Sequence, residues 1–199
     1  GSFVTVNVDV SLVTDLYAWQ VKLNWNKTLL RLDEIILGEL LARSTATTSS
    51  EELGFVINST DNTVGVSMHA ESLLAAAGGV SESGTARLVS IRFAVLAYGY
   101  TRLNFDATDT ILLNSTDPPG NSITAEKVNG FFSNRILGDA GYDKTVDDID
   151  LFYLSKAFLS TGGPPPSSNW DEKCDFNWDN YVDDLDLYSL SVNFLRSIP

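Results

Sequence analysis

From Val4 to Leu12 apolar and polar residues alternate without a break, the period of a strand that buries one face. Tyr17, Trp19, Val21, Leu23 and Trp25 repeat the pattern on a single face, which makes the aromatic residues core rather than a ligand platform. Further runs of period two are Val64/Val66/Met68/Ala70, Val89/Ile91/Phe93/Val95 and Leu103/Phe105. Turn chemistry separates them: Asn24-Trp25-Asn26, Asp61-Asn62, Gly78-Gly79 and Asp117-Pro118-Pro119-Gly120. Short strands with one apolar face predict two packed sheets, a β-sandwich of about nine strands, over residues 1–134. A helix or irregular insert is expected at Glu71–Ala77, and Gly38–Gly54 fits the alternation least well.

The pattern changes after residue 138. Two acidic dodecads, Asp139–Asp150 and Asp175–Asp186, recur 36 residues apart. Their oxygens fall at loop positions 1, 3, 5, 9 and 12, with a backbone carbonyl at 7, the EF-hand spacing for a hard cation that takes six to eight oxygens. Two Ca2+ ions are therefore expected. In the second loop the ligands are Asp175, Asn177, Asp179, the Tyr181 carbonyl, Asp183 and a bidentate Asp186. The first offers Asp139, Asp143, the Thr145 carbonyl, Asp147 and Asp150, and Gly141 at its position 3 has no oxygen to give. Position 6, usually Gly, is Lys144 in one loop and Asn180 in the other. Asn tolerates a left-handed backbone better than Lys, so the first loop is expected to bind more weakly. Each dodecad runs into an apolar helical stretch ending at Phe158 or Phe194, and the Thr161–Ser168 segment, rich in Gly and Pro, predicts a stiff, extended connector.

Charge supports this division. Of the net charge of −13, residues 138–199 hold −8, and two divalent ions would cancel about half of that excess. So acidic a chain repels nucleic acid and anionic lipid. Mean hydropathy near zero fits an ordinary soluble protein, and no segment approaches the roughly 20 apolar residues of a membrane span. No basic leader with an apolar core is present, so a signal peptide is expected to be absent or removed. Cys174 is the only cysteine, which excludes an internal disulfide, and with His69 as the only histidine a zinc site lacks ligands. His69 lies between Met68 and Ala70, both expected to point inward, so it is expected to face solvent or the other layer, with no nucleophile to serve. Enzyme activity is not expected. Three sequons, at Asn26, Asn58 and Asn114, mark candidate glycosylation sites and, with the calcium chemistry, favour an extracellular or cell-surface setting.

The duplicated loop and helix, with Asp closing each loop and Leu close behind, resembles a dockerin over residues 138–199. Earlier segments resemble a cohesin: Leu16-Tyr17-Ala18-Trp19-Gln20-Val21, Leu29–Leu32 and Gly84–Val95 match that family's strands. The resemblance implies a nine-stranded jelly-roll sandwich followed by a calcium-dependent plug. It also implies that loop positions 10 and 11, Asp148-Ile149 and Asp184-Leu185, face a partner, with Tyr142 and Trp178 at position 4 beside them. Alternatively, Ile149 and Leu185 only begin the core faces continued by Leu154/Phe158 and Leu190/Phe194. The function implied is a non-catalytic assembly protein whose partner carries a complementary cohesin or dockerin domain. Copies of the chain itself would join head-to-tail into a filament, or by donating the first strand to a neighbour's sheet. A carbohydrate-binding sandwich with a calcium-stabilised appendage is the alternative. It would rely on Trp170, Trp178, Tyr98 and Tyr100, which form no single strip in the sequence.

Overall fold

The computed structural model describes residues 1–43, 53–73, 78–116 and 120–199. They form two compact units, Gly1–Ala97 with Thr101–Phe132, and Tyr98–Tyr100 with Ser133–Pro199.

The first unit is built from β1 (Phe3–Asn24), β2 (Leu30–Leu37), β3 (Leu53–Asp61), β4 (Val66–Leu73), β5 (Val80–Val95), β6 (Tyr100–Phe105), β7 (Ile111–Asn114), β8 (Ser122–Ile123) and β9 (Gly130–Ser133). The two alternating runs at the start of the chain are one strand of 22 residues, bent where Leu12 and Asp15 take left-handed backbone (φ 53° and 58°). Before the bend β1 ladders to β5, which also carries β2; after it, β1 ladders to β4 and β7. Register shifts cluster at the bend, as expected where a strand turns a corner from one sheet to the other. The core takes Val8, Val10 and Val13 from one arm and Trp19, Val21 and Leu23 from the other, with Val89, Ile91 and Phe93 of β5 fully buried. Burying each such side chain is worth about 1.5–3 kcal/mol.

The face presented by β4 differs from the expected one. Ser67, His69 and Glu71 point into the core, at 1%, 1% and 4% exposure, while Val64 lies in the preceding turn at 61%. The cause is register: Ser67, His69 and Glu71 lie opposite Leu23, Val21 and Trp19 of β1, and opposed residues of an antiparallel pair share a face. The stronger apolar pattern of β1 decides which side of β4 is buried. Glu71 accepts a hydrogen bond from Trp19 Nε1 at 3.0 Å. Burial holds the Glu71 carboxyl above its ordinary range and the His69 imidazole below. Of the insert expected at Glu71–Ala77, residues 71–73 complete β4, and the rest lies outside the described residues, as does most of the poorly fitting 38–54 stretch.

The second unit contains α1 (Asp148–Ala157), β10 (Ser160–Thr161), β11 (Tyr181–Val182) and α2 (Asp184–Asn193). Its core is small: Ile136, Ala140, Val146, Leu154, Ala157, Cys174, Phe176, Val182 and Leu190. Cys174 is packing, since burial pushes its thiol up to about 12, away from reactivity. The connector over 161–168 doubles back rather than extending: Ser167 N donates to the Thr161 carbonyl at 2.8 Å, and Thr161 N to Ser167 Oγ at 3.0 Å. Gly162 is needed there because a Cβ would meet the Trp170 ring at 2.6 Å. Among the described residues no helix is long and apolar enough to cross a membrane.

One side chain ties a turn to a neighbouring strand. Asn62 accepts from Leu32 N at 2.7 Å and donates to Leu32 O at 3.0 Å, standing in for a missing ladder partner. Asn62→Ala is expected to destabilise the sandwich by about 1–3 kcal/mol, read as a lower urea midpoint with unchanged slope.

Candidate metal centres

Each dodecad closes into a ring around two buried carboxylates. Asp139 and Asp150 are 0% and 1% exposed in the first loop, and Asp175 and Asp186 are both 0% in the second. Backbone amides converge on them. Tyr142 N and Lys144 N donate to Asp139 at 2.7 and 3.0 Å, and Gly141 N and Asp147 N to Asp150 at 2.8 Å each. In the second loop Asp179 N and Asn180 N donate to Asp175 at 3.2 and 3.0 Å, and Phe176 N and Asp183 N to Asp186 at 2.6 and 2.9 Å. To wrap this tightly, positions 4 and 6 adopt left-handed backbone in both loops: Tyr142, Lys144, Trp178 and Asn180 have φ of 61°, 72°, 63° and 68°. Lys144 therefore takes a left-handed conformation that Asn, as at Asn180, adopts at lower cost.

Positions 9 and 12 have a second task. Asp147 and Asp183 cap the two helices, accepting from Ile149 N and Leu185 N at 2.8 Å each, while Asp150 and Asp186 reach back to the cap amides. These are two capping boxes, each stabilising a helix start by about 1 kcal/mol. The signal was present in the sequence as Asp-x-x-Asp ahead of an apolar run, masked by the calcium spacing on the same residues.

The loops are exchanged with the segments behind the helices. Leu159 N donates to Val182 O at 2.8 Å, and Leu195 N to Val146 O at 2.7 Å. Thr161 pairs with Tyr181, and Ser197 with Thr145. Every one of these partners has its counterpart 36 residues away, so the unit has an internal twofold relation. Loop 1 is tied to the end of the second repeat and loop 2 to the end of the first.

Remaining predicted ligands lie nearer the surface. Asp143, Asn177 and Asp179 are exposed, and Thr145, Asp147 and Asp183 are half-buried. Tyr181 is 57% exposed. Asp143 and Asp179 accept from Thr145 N and Tyr181 N at 2.9 and 2.8 Å. As placed, no three acidic, histidine or cysteine side chains among the described residues converge on one point, because the carboxylates are turned to loop amides. The buried oxygens nonetheless fit a cation. Burial raises the carboxyls of Asp150 and Asp186, and pushes Asp175 up to about 6, with the neighbouring Asp186 charge adding to it. Carboxylates paired only with neutral amides in a dry ring are costly to ionise, and a divalent ion removes that cost. In the first loop Gly141 leaves its corner without a side-chain oxygen; its amide instead binds Asp150.

The position-4 aromatics are not on the open surface expected of an interface. Tyr142 and Trp178 are half-buried, with ring centroids 5.9 and 4.9 Å from that of Tyr100, and the Arg135 guanidinium lies over all three rings at 4.6–5.8 Å. Tyr98 is likewise engaged: its hydroxyl donates to Asp139 at 2.7 Å and accepts from Ile136 N at 2.8 Å, and burial lifts its pKa to about 12. Sequence reasoning missed Arg135 and named Tyr98 only as a sugar-stacking candidate; both stand outside the dodecads. Asp148, Ile149, Asp184 and Leu185 are exposed, Ile149 at 53% and Leu185 at 57%. They do not begin the core faces, which the helices build from Leu154, Ala157 and Leu190.

No family model matches the chain, and no curated protein matches its sequence. Solved structures do share the fold. One is the seventh ScaB type I cohesin from Pseudobacteroides cellulosolvens, with TM-score 0.51, 21% identity, and coverage of 67% of this chain and 82% of that one. Another is CaCohA2 from Clostridium acetobutylicum, with TM-score 0.51, 17% identity, and coverage of 67% and 81%. A chain of the CaDoc0917–CaCohA2 complex gives TM-score 0.52, 16% identity, and coverage of 67% and 89%. The β-sandwich is therefore cohesin-like in fold.

Calorimetric titration with calcium is expected to resolve two sites, Asp150→Ala removing one and Asp186→Ala the other, with the site that survives Asp186→Ala the weaker. Acidification is expected to oppose binding. Asp150, Asp175 and Asp186 have folded pKa values above their unfolded ones, so without metal they favour the folded unit below about pH 4 and lose that contribution as pH rises through the folded values, about 6 for Asp175. The ion needs the ionised forms. Calcium affinity should thus fall below pH 6 by roughly tenfold per unit for each displaced proton, while the metal-free unit melts higher at pH 4 than at pH 7. Fluorescence of Trp170 and Trp178 at several pH values, with calcium and with chelator, checks both.

Proposed function

We propose that this chain is a non-catalytic, extracellular assembly protein in which a cohesin-like sandwich is followed by a dockerin-like plug that two Ca2+ ions hold in its binding shape. The observation that carries the reading is a pair of matching apolar surfaces. On α1, Ile149, Leu151 and Phe152 are 53%, 40% and 54% exposed; their counterparts 36 residues on, Leu185, Leu187 and Tyr188, are 57%, 37% and 65% exposed. Helices of ten residues that leave such side chains in water while burying two or three others are arranged to meet a partner. Each patch begins two residues after an N-cap that is also a proposed ligand, at Ile149 and Leu185, whose amides bond the cap carboxylates, so ion binding and patch geometry are coupled through Asp147 and Asp183.

The partner carries a complementary domain of cohesin or dockerin type. When that partner is another copy, the plug of one chain meets the sandwich of the next. Such a contact is heterologous and, unless it closes on itself, grows into a filament. Calcium acts on it by mass action, since an ion that binds only the folded plug stabilises it. The acidic surface and the sequons at Asn26 and Asn58, both exposed, and Asn114, half-buried, suit an extracellular setting. A sugar-binding reading loses support because Tyr98, Tyr100, Trp170 and Trp178 are all occupied within the second unit. Among the described residues the buried His69 has no hydrogen-bond partner for either ring nitrogen, which leaves it no proton relay to serve.

Light scattering after size-exclusion chromatography is expected to give oligomers of rising length in calcium and monomer in chelator. Ile149→Asp with Leu185→Asp should remove the oligomers while two calcium sites persist in calorimetry. A monomer at every calcium concentration would refute self-assembly, and pull-down with a separately expressed cohesin or dockerin would then test the adaptor form.

A further inference from the structure

The sandwich carries a trough that nothing above employs. Among the described strands, β5 alone ladders to β1 between Phe3 and Val13, so the other edge of that arm is open. Beside it lies a cleft of about 850 Å3. Asn7–Val13 form one wall and Ser122–Val128 the other, seven consecutive residues each. Two runs of that length give a cleft drawn out along β1 as far as the bend at Leu12. Its floor is the sandwich core itself: Val8 and Val10 from one sheet, Val21 and Leu112 from the other, all 9% exposed or less. Its rims are apolar, with Leu12 at 78% and Val128 at 74% on opposite walls, and Ile111 at 37% between. Residues 124–129 have no ladder of their own.

The chemistry of the lining selects the occupant. A small polar ligand needs several convergent polar side chains. The trough has three charged ones, of which Asp9 pairs with Arg87 at 3.4 Å and Lys127 donates to the Ala107 carbonyl at 2.7 Å. What it offers is the open main-chain edge of β1, interrupted by register shifts at Val8/Asp9 and Ser11/Val13. Phe3–Val13 contains no Pro and no Lys, two of the residues that blunt an edge. An open edge over an apolar floor fits a strand that bonds through its backbone and buries every second side chain.

We propose that this trough accepts an extended segment of a protein partner, with uncharged apolar side chains at alternate positions, as a strand added to β1. The proposal deepens the assembly reading by giving it a contact that needs no calcium.

The test uses the intact chain in chelator and a capped peptide of residues 3–11, whose Val4, Val6, Val8 and Val10 have the required alternation. Saturable binding is expected, with hydrogen exchange across Asn7–Val13 slowed about tenfold or more. A scrambled peptide without alternation should give neither. Ile111→Arg and, separately, Val128→Arg should each weaken binding about tenfold while leaving the melting curve unchanged. The proposal is overturned by absence of saturation, by protection elsewhere in the chain, by equal binding of the scrambled peptide, by rim variants that bind as well as the parent, or by edge amides already protected before peptide is added. Because the measurement is made without calcium, its failure leaves the plug untouched, and failure of the plug leaves the trough untouched.

Discussion

The first unit depends on the bend in β1. One strand serves two sheets, so the register on either side of Leu12–Asp15 fixes which faces meet in the core. The alternation of Trp19, Val21 and Leu23 is strong enough to turn the polar side of β4 inward, at the expense of Val64 and Met68. A shift of one residue in the second arm would flip that whole row to the opposite face. The same bend leaves the first arm of β1 laddered on one side, beside an opening into the core.

The second unit is governed by electrostatics instead. Its core is nine residues, too few to hold sixty-odd residues firmly by burial alone. Four carboxylates occupy its dry interior, and backbone amides that would otherwise face water are drawn in to meet them. Helix capping and loop curvature therefore share the same oxygens as the proposed ion site. A substitution at Asp150 or Asp186 removes a helix cap partner and a proposed ligand together, so effects on folding and on calcium binding are expected to be coupled.

Much of this was legible in the chain. Period-two runs marked β1, β5 and β6, and the spacing of the dodecads marked the rings, their left-handed position 6 and the helices behind them. Where the sequence misled, a non-local partner had the deciding vote. The face of β4 is set by pairing with β1, which the local pattern around His69 does not contain. The connector folds back because Thr161 and Ser167 bond across it, although its Gly and Pro content reads as an extended spacer. Tyr142 and Trp178 pack inward because of Arg135 and Tyr100, residues well outside the loops. The opening beside β1 has no local signature, since it arises from what the rest of the topology does not cover.

The crossed ties between the two repeats imply that neither half is self-sufficient. Val146 is anchored by Leu195 and Arg196, just behind α2, and Val182 by the turn after α1, so the repeats interlock like clasped hands. Deleting residues 195–199 would leave the second ring untouched and strip the backing from the first, some fifty residues upstream. A break in the chain just behind α2 would thus be felt at the opposite end of the duplicated unit.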